Sequence, residues 1–136
     1  MEISNKSLFK DKCFINGEWI ESYNKEKIEV NDPATLKIIG TVPNCGKEET
    51  NYAILKANEA WKEWRERTAL NRSIILRKWN DLILENQEDL ARIMTIEQGK
   101  PLAESRGEIV YGASFVEWFA EEGKRVYGDT IPDRFT

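Results

Sequence analysis

Two cysteines, Cys13 and Cys45, are the only thiols in the sequence, and no histidine accompanies them. A chain without histidine excludes Ser-His-Asp and Cys-His catalysis, and it excludes zinc sites built from imidazole. The cysteines lie about thirty residues apart with no Cys-x-x-Cys spacing. A disulfide between them is possible, but two free thiols are the better interpretation in a reducing compartment. Cys13 adjoins Phe14 and Cys45 lies in a turn, and we assign neither as a nucleophile.

Carboxylates are numerous, but their spacing does not indicate a catalytic or metal site. Glu104 and Glu108 share one helix face at i,i+4 spacing, as do Glu117 and Glu121. Without a histidine or a third ligand, such pairs are typical of a solvated helix surface. Glu121 is also spaced to form an ordinary ion pair with Arg125. Phosphate-binding glycine loops and the Gly-x-Ser-x-Gly nucleophile motif are absent from the sequence.

The acidic composition limits the kinds of molecule that the protein is expected to bind. The formal net charge is −4 and the pI is about 5.1, with lysine and arginine scattered along the chain. This balance argues against nucleic acid, whose backbone requires a basic face. No apolar run approaches the roughly 20 residues that span a bilayer, and the N-terminal residues lack the apolar core of a secretory signal. We therefore predict a cytoplasmic protein with no nucleic-acid or membrane partner.

The elements that would position these side chains begin with a β region. Residues 13–15 and 18–20 flank Asn16-Gly17, a pair that tolerates the positive φ angles of a type I′ turn. This pattern predicts a β-hairpin. Weaker alternation predicts two further strands at residues 27–30 and 38–42, joined by a turn.

Helical periodicity replaces the strand pattern from residue 47 onward. It predicts four helices, over residues 47–65, from 68 into the low eighties, 87–98 and 101–127. Thr68 is an N-cap candidate, Gly99 is a stop for the third helix, Pro101 fits the first turn of the fourth, and Gly128 follows it. The chain is thus expected to be mostly α-helical, with strands and turns at about 10–44 and helices at about 47–128.

The fourth helix carries two apolar faces rather than one. At about 100° per residue, one stripe contains Leu102, Ile109, Ala113, Val116 and Ala120, and the opposite flank contains Tyr111, Phe115, Trp118 and Phe119. Either its three partner helices enclose this helix, or the second flank meets another domain, a ligand tunnel or a partner chain. Gly107 and Gly112 indicate that another backbone approaches the helix closely.

Several stretches of the chain resemble the N-terminal portion of the aldehyde dehydrogenase superfamily. They are FINGEW at residues 14–19, NDPAT at 31–35, TIEQGKPLAESRGEI at 95–109 and FVEWFAEEGKRVYGDTIP at 115–132. The resemblance extends over about residues 8–132. The last stretch is most similar to NAD(P)-dependent succinate-semialdehyde dehydrogenases.

The resemblance implies an α/β, aldehyde dehydrogenase-like fold in which residues 1–136 form the N-terminal segment of the nucleotide-binding domain. In such enzymes a cysteine thiolate attacks the aldehyde, hydride passes to NADP or NAD, and a glutamate activates water to release the acid. The matched region precedes the catalytic residues, the glycine-rich nucleotide site and the oligomerisation strand. We therefore expect no catalytic or cofactor-binding residue in these 136 residues, and no activity from them alone.

The resemblance also implies two candidate sites. Tyr111, with Phe115 near it, corresponds to one wall of the family's substrate tunnel, although both residues are equally compatible with a plain core role. The backbone carbonyl of Asn31 and the carboxylate of Glu97 match positions that hold a monovalent cation in some members, with a third ligand from sequence outside the chain. Carbonyl and carboxylate oxygens suit a hard cation.

Three hypotheses follow for the function. The first is the N-terminal fragment of an enzyme that oxidises the aldehyde succinate semialdehyde to succinate and forms a homo-oligomer when full length. The second is a non-enzymatic interaction module that docks on full-length subunits through the aromatic flank of the fourth helix. The third is a fragment of a related enzyme, such as a glutarate-semialdehyde or betaine-aldehyde dehydrogenase.

Overall fold

The computed structural model describes residues 2–129, which form two small antiparallel sheets followed by four α-helices. A short 3₁₀ turn at Lys6–Leu8 precedes the strands. The strands are β1 (Cys13–Ile15), β2 (Glu18–Ile20), β3 (Lys27–Asn31) and β4 (Ile38–Pro43), and the helices are α1 (Lys47–Glu66), α2 (Ala69–Glu85), α3 (Gln87–Gln98) and α4 (Leu102–Glu122). The predicted mostly helical architecture is confirmed for this part of the chain. None of its helices has the length and apolar character needed to cross a membrane.

The β1–β2 hairpin forms where the Asn-Gly pair predicted it. Asn16 has φ 55° and Gly17 has φ 82°, the left-handed values that a type I′ turn requires. The register pairs Cys13 with Ile20 across the two strands. The β3–β4 pair forms a separate sheet, so no strand hydrogen bonds join the two hairpins.

The helix ends follow their local signals closely. The Thr68 side chain accepts a hydrogen bond from the Asn71 N–H at 3.2 Å, which caps α2 as predicted. Gly99 terminates α3 at φ 80°, and its N–H donates to the Thr95 carbonyl at 2.8 Å. Pro101 occupies the N-cap position of α4 rather than its first helical turn.

The prediction that the fourth helix continues to about residue 127 is wrong. The helix ends at Glu122, where Gly123 forms the C-cap and its N–H donates to the Phe119 carbonyl at 3.0 Å. Glycine weakens a helix, and the next apolar residues, Val126 and Tyr127, are each 85% exposed. Because most helix stability in proteins comes from packing, the unpacked residues after Gly123 do not sustain another turn.

The apolar core within residues 2–129 is small. Its fully buried apolar residues are the alanines Ala91, Ala113 and Ala120, two of which lie on α4. α4 packs against both α2 and α3, and this three-helix contact carries most of the tertiary packing among the helices. The first stripe of α4 faces inward, with Leu102, Ile109 and Val116 half-buried. The core therefore supports α4 from one side.

Candidate functional site

The second flank of α4 is exposed, as the interpretation of an unenclosed helix predicts. We call its four side chains, Tyr111, Phe115, Trp118 and Phe119, the aromatic face; their exposed fractions are 65%, 46%, 60% and 61%. Tyr111 and Phe115 stack edge to face, with ring centroids 4.8 Å apart and an interplanar angle of 81°. Contiguous apolar surface of this kind marks an interaction or ligand-binding site in soluble proteins.

An open groove of about 670 Å³ runs beside the aromatic face. Phe115, Trp118 and Phe119 supply its apolar lining. Charged side chains of both signs complete it: Arg77 of α2, together with Glu117, Glu121, Glu122 and Arg125. The Arg77 guanidinium donates to the Glu121 carboxylate at 2.9 Å, which joins α2 to α4 at the edge of the groove. A hydrogen bond from Lys124 and the charge of Arg77 hold the pKa of Glu121 below its usual range.

Buried polar contacts fix the position of α4 along the two helices that it packs against, α2 and α3. The Asn80 side chain of α2 donates to the Ala113 carbonyl at 2.8 Å, in a buried position halfway along α4. The hydroxyls of Thr95 and Ser105 lie 2.8 Å apart, which joins α3 to the first turn of α4. These bonds hold the aromatic face outward while the alanine stripe packs inward.

A charged cluster anchors the start of α4 to the start of α3. The Glu88 carboxylate accepts hydrogen bonds from two nitrogens of Arg106, at 2.7 and 2.9 Å, and one from Arg92 at 3.0 Å. These cations, with Arg106 the stronger influence, lower the pKa of Glu88 to about 2. The cluster is partly exposed, and it joins the start of α3 to the start of α4.

Two predictions about α4 need correction. Gly107 and Gly112 do not mark a close backbone approach among residues 2–129, because a Cβ atom at either position would meet nothing within 4 Å. Arg125 pairs with Glu122 at 2.8 Å rather than with Glu121. The reason is that α4 has already ended at Glu122, so the i,i+4 spacing of a continuous helix no longer holds.

The predicted cation ligands, Asn31 and Glu97, lie in segments that the fold brings together. Asn31 is the last residue of β3 and Glu97 is near the end of α3, and both are exposed. The turn after β3 contacts the end of α3, because a Cβ at Gly99 would lie 2.7 Å from the Pro33 ring. Within residues 2–129 no group of three or more His, Cys, Asp or Glu side chains is arranged to hold a metal. The cation site stays a prediction.

The carboxylate pairs at i,i+4 spacing have separate partners. Glu108 pairs with Lys100, whereas Glu121 pairs with Arg77 and Lys124. Glu104 and Glu117 are exposed on α4.

Two carboxylates that were not singled out from sequence organise the backbone. Glu49 of α1 accepts the N–H of Tyr23 at 2.7 Å and that of Gly46 at 3.0 Å, and these donors, Tyr23 foremost, lower its pKa. Asp89 accepts the N–H groups of Ser4 and Asn5 at 2.9 and 2.8 Å. A glutamate three residues inside a helix start is a detectable capping signal for Glu49, whereas the long-range role of Asp89 leaves no local pattern.

Comparison with known proteins identifies the family. The aldehyde dehydrogenase family profile matches residues 19–135, and the chain belongs to this family. It is 56% identical over 132 residues to a glutarate-semialdehyde dehydrogenase of Pseudomonas putida, covering 97% of this chain and 28% of that protein. It is 55% identical over 132 residues to the NADP(+) succinate-semialdehyde dehydrogenase of Escherichia coli, covering 97% of this chain and 27% of that protein.

Solved structures agree with the family and the fold. The crystal structure of succinate-semialdehyde dehydrogenase from Burkholderia pseudomallei superposes with a TM-score of 0.95 at 52% identity, covering 98% of this chain and 28% of that one. The predicted family and the aldehyde dehydrogenase-like fold are thereby confirmed. The chain spans about 28% of the length of the relatives it matches.

Proposed function

We propose that this chain forms the N-terminal part of the nucleotide-binding domain of an NAD(P)-dependent dehydrogenase that oxidises succinate semialdehyde to succinate. The observation that carries the proposal is the 55% identity to the succinate-semialdehyde enzyme, sustained over 132 residues that include all four helices. Identity of this extent constrains surface as well as core residues. The same helices here leave a broad apolar surface uncovered.

The aromatic face supports a role in substrate access or in packing against the catalytic part of such an enzyme. Tyr111 and Phe115 form an edge-to-face pair on a helix that Asn80 hydrogen-bonds from α2. A pair of this kind would line a tunnel that admits a small aldehyde and excludes water from the reacting centre. In this proposal the residues of the chain orient and enclose the substrate, and a thiolate outside the chain carries out the covalent chemistry.

The cofactor and the quaternary structure belong to the same proposal. NADP or NAD would accept the hydride in the complete enzyme, and a homo-oligomer is expected for it. The 136 residues contain no glycine-rich phosphate loop. We therefore expect them to be inactive by themselves and to bind the dinucleotide only as part of the larger protein. The cytoplasmic location stays a prediction from the sequence.

Glutarate semialdehyde is the main alternative substrate, because the chain is 56% identical to an enzyme that is named for it. The two semialdehydes differ by one methylene, and a difference of that size is worth about 1–3 kcal/mol in an apolar pocket. The identities of 55% and 56% do not by themselves discriminate between the two substrates, and the choice of succinate semialdehyde follows the resemblance of residues 115–132 to succinate-semialdehyde dehydrogenases. Steady-state kinetics must show which of the two semialdehydes is the better substrate.

The test begins with the coding sequence that follows Thr136 and the purified product of the whole gene. Reduction of NADP and of NAD is followed by absorbance, with succinate semialdehyde, glutarate semialdehyde and betaine aldehyde as the three substrates. The proposal predicts the highest kcat/KM with succinate semialdehyde. A higher kcat/KM with glutarate semialdehyde or betaine aldehyde would favour the related enzymes. A stop codon after Thr136 together with a folded, inactive product would overturn the proposal in favour of the interaction module.

Two variants test the aromatic face directly. Phe115→Ala removes half of the aromatic pair and should raise KM for the semialdehyde more than it changes KM for the dinucleotide. Trp61→Ala is the matched control, since Trp61 is an aromatic residue of α1 with a comparable exposed fraction of 54%. Equal changes in both KM values, or the same effect from both variants, would contradict a role in substrate access.

A further inference from the structure

The two cysteines of the chain are neighbours in space although they are 32 residues apart in sequence. Their sulfur atoms lie 3.7 Å apart, and both thiols are free and half-buried. Cys13 is the first residue of β1, and Cys45 lies in the short connection between β4 and α1. Two sulfur atoms at van der Waals separation need to approach by less than about 2 Å to reach the bond length of a disulfide.

The fold holds the backbone on both sides of Cys45. The N–H of Asn44 donates to the Glu26 carbonyl at 2.9 Å, and the N–H of Gly46 donates to the Glu49 carboxylate at 3.0 Å. Cys13 is paired with Ile20 in the register of the hairpin. These contacts hold the connection that carries Cys45 and the strand that carries Cys13, and the Cys45 thiol donates a weak hydrogen bond to the Cys13 sulfur.

We propose that Cys13 and Cys45 form a reversible dithiol–disulfide site that is closed by an oxidised low-molecular-weight thiol such as glutathione disulfide. One cysteine thiolate attacks the disulfide, forms a mixed disulfide and releases one reduced thiol. The second cysteine thiolate then attacks the protein sulfur of that mixed disulfide and releases the other reduced thiol. The protein loses two electrons and two protons, and the small disulfide gains them.

The surroundings of the two thiols favour slow disulfide formation between them, which depends on their proximity. They do not favour high reactivity of either thiol toward other electrophiles. Burial, together with the adjacent Cys13 thiol and the Glu49 carboxylate, raises the pKa of Cys45. A thiol of this kind is a poor nucleophile toward most electrophiles at neutral pH. The neighbouring sulfur nevertheless gives the second step a high effective concentration, so a mixed disulfide should resolve rather than accumulate.

Closure would create a covalent link that the fold otherwise lacks. The β1–β2 hairpin and the β3–β4 sheet share no strand hydrogen bonds. A bond between Cys13 and Cys45 would tie the start of the hairpin to the β4–α1 connection. Opening of the hairpin would then be restricted, and hydrogen exchange of its amides should slow by about tenfold or more. This consequence is independent of the proposed enzymatic activity.

Peptide mapping of the native gene product tests the site. The folded protein is incubated with glutathione redox buffers, trapped with an alkylating reagent, digested and analysed by mass spectrometry. The proposal predicts a cross-linked peptide pair containing Cys13 and Cys45, lighter by two hydrogen atoms, which reduced glutathione reopens. Hydrogen exchange of the hairpin amides before and after oxidation gives the second readout.

Single-cysteine variants provide the matched controls. In Cys13→Ser and in Cys45→Ser, the remaining cysteine should retain a glutathione adduct, because no second thiol can displace it. The wild-type protein should show no such adduct on either cysteine. Stable adducts on wild-type Cys13 or Cys45, or two free thiols under conditions that form adducts in the variants, would overturn the proposal. A cross-link that reduced glutathione cannot reopen would overturn its reversibility.

Discussion

Gly99 ends α3 in the left-handed region of backbone conformation, with φ 80°, and the ring of Pro33 lies directly beside it. Replacing Gly99 with alanine adds a Cβ that would lie 2.7 Å from the Pro33 Cγ atom, well inside van der Waals contact. The proline ring is rigid, so relief of this contact requires the β3–β4 turn or the end of α3 to move. The substitution thus tests both the helix stop and the contact between the two halves of the chain.

The magnitude has two parts. Left-handed backbone costs an alanine about 1–2 kcal/mol relative to glycine. Overpacking against a rigid neighbour adds roughly 1–3 kcal/mol, and the lower chain entropy of unfolded alanine offsets up to about 1 kcal/mol. We therefore expect Gly99→Ala to lower the free energy of unfolding by about 1–5 kcal/mol, measured by urea denaturation.

A second substitution separates the two parts, and a third is the control. Asparagine tolerates the left-handed conformation, so Gly99→Asn retains mainly the collision with Pro33 and should lose about 1–3 kcal/mol. Gly107→Ala places a Cβ where nothing lies within 4 Å in the middle of α4, and it should raise stability by about 0.5–1 kcal/mol. A Gly99→Ala protein as stable as wild type would refute the reasoning.

Two further substitutions test the contacts that hold α4. Glu88→Gln should lower the urea midpoint at neutral pH, because it removes the carboxylate that binds Arg106. The pKa of Glu88 is lowered in the folded state from 4.5 to about 2, so its stabilising effect is complete above pH 4.5, and the difference between variant and wild type should shrink as the pH falls toward 2. Asn80→Ala removes the side-chain hydrogen bond that the Ala113 carbonyl accepts in addition to its helical bond, and it should cost about 0.5–1.5 kcal/mol in the free energy of unfolding.

Each of the two substitutions, Glu88→Gln and Asn80→Ala, has a control substitution at an exposed position. Glu85→Gln alters a glutamate at the exposed end of α2 and should not show a difference from wild type that shrinks with acidification. Asn51→Ala changes an exposed residue of α1 and should stay within about 0.5 kcal/mol of wild type. A constant offset for Glu88→Gln from neutral pH down to pH 2 would contradict the assigned ion pairs.

Local signals in the sequence predicted most of the secondary structure. Asn16-Gly17 specifies its turn because both residues accept positive φ, and Thr68 caps a helix because its side chain reaches the N–H of Asn71. The exception was the end of α4. Residues 123–127 follow the helical period in sequence, but the helix ends at Glu122 and the side chains of Val126 and Tyr127 stay exposed. Periodicity shows which residues would share a face, but it does not show whether anything packs against that face.

For the candidate site too, the sequence determined one part and the tertiary structure determined the other. The sequence alone placed Tyr111, Phe115, Trp118 and Phe119 on one flank of a helix, and its motifs indicated the aldehyde dehydrogenase family. Only the tertiary structure decided that this flank is exposed among the described residues and that Arg77 of another helix borders it.

The cysteines show why this division exists. Residue types and spacing established that there are two thiols and no histidine to activate them. Their separation of 3.7 Å comes from contacts between a hairpin and a connection that are 32 residues apart. Turn and cap preferences act over a few residues, so they can be read locally. Proximity between distant segments depends on how all the intervening elements pack, and that information exists only in the folded chain.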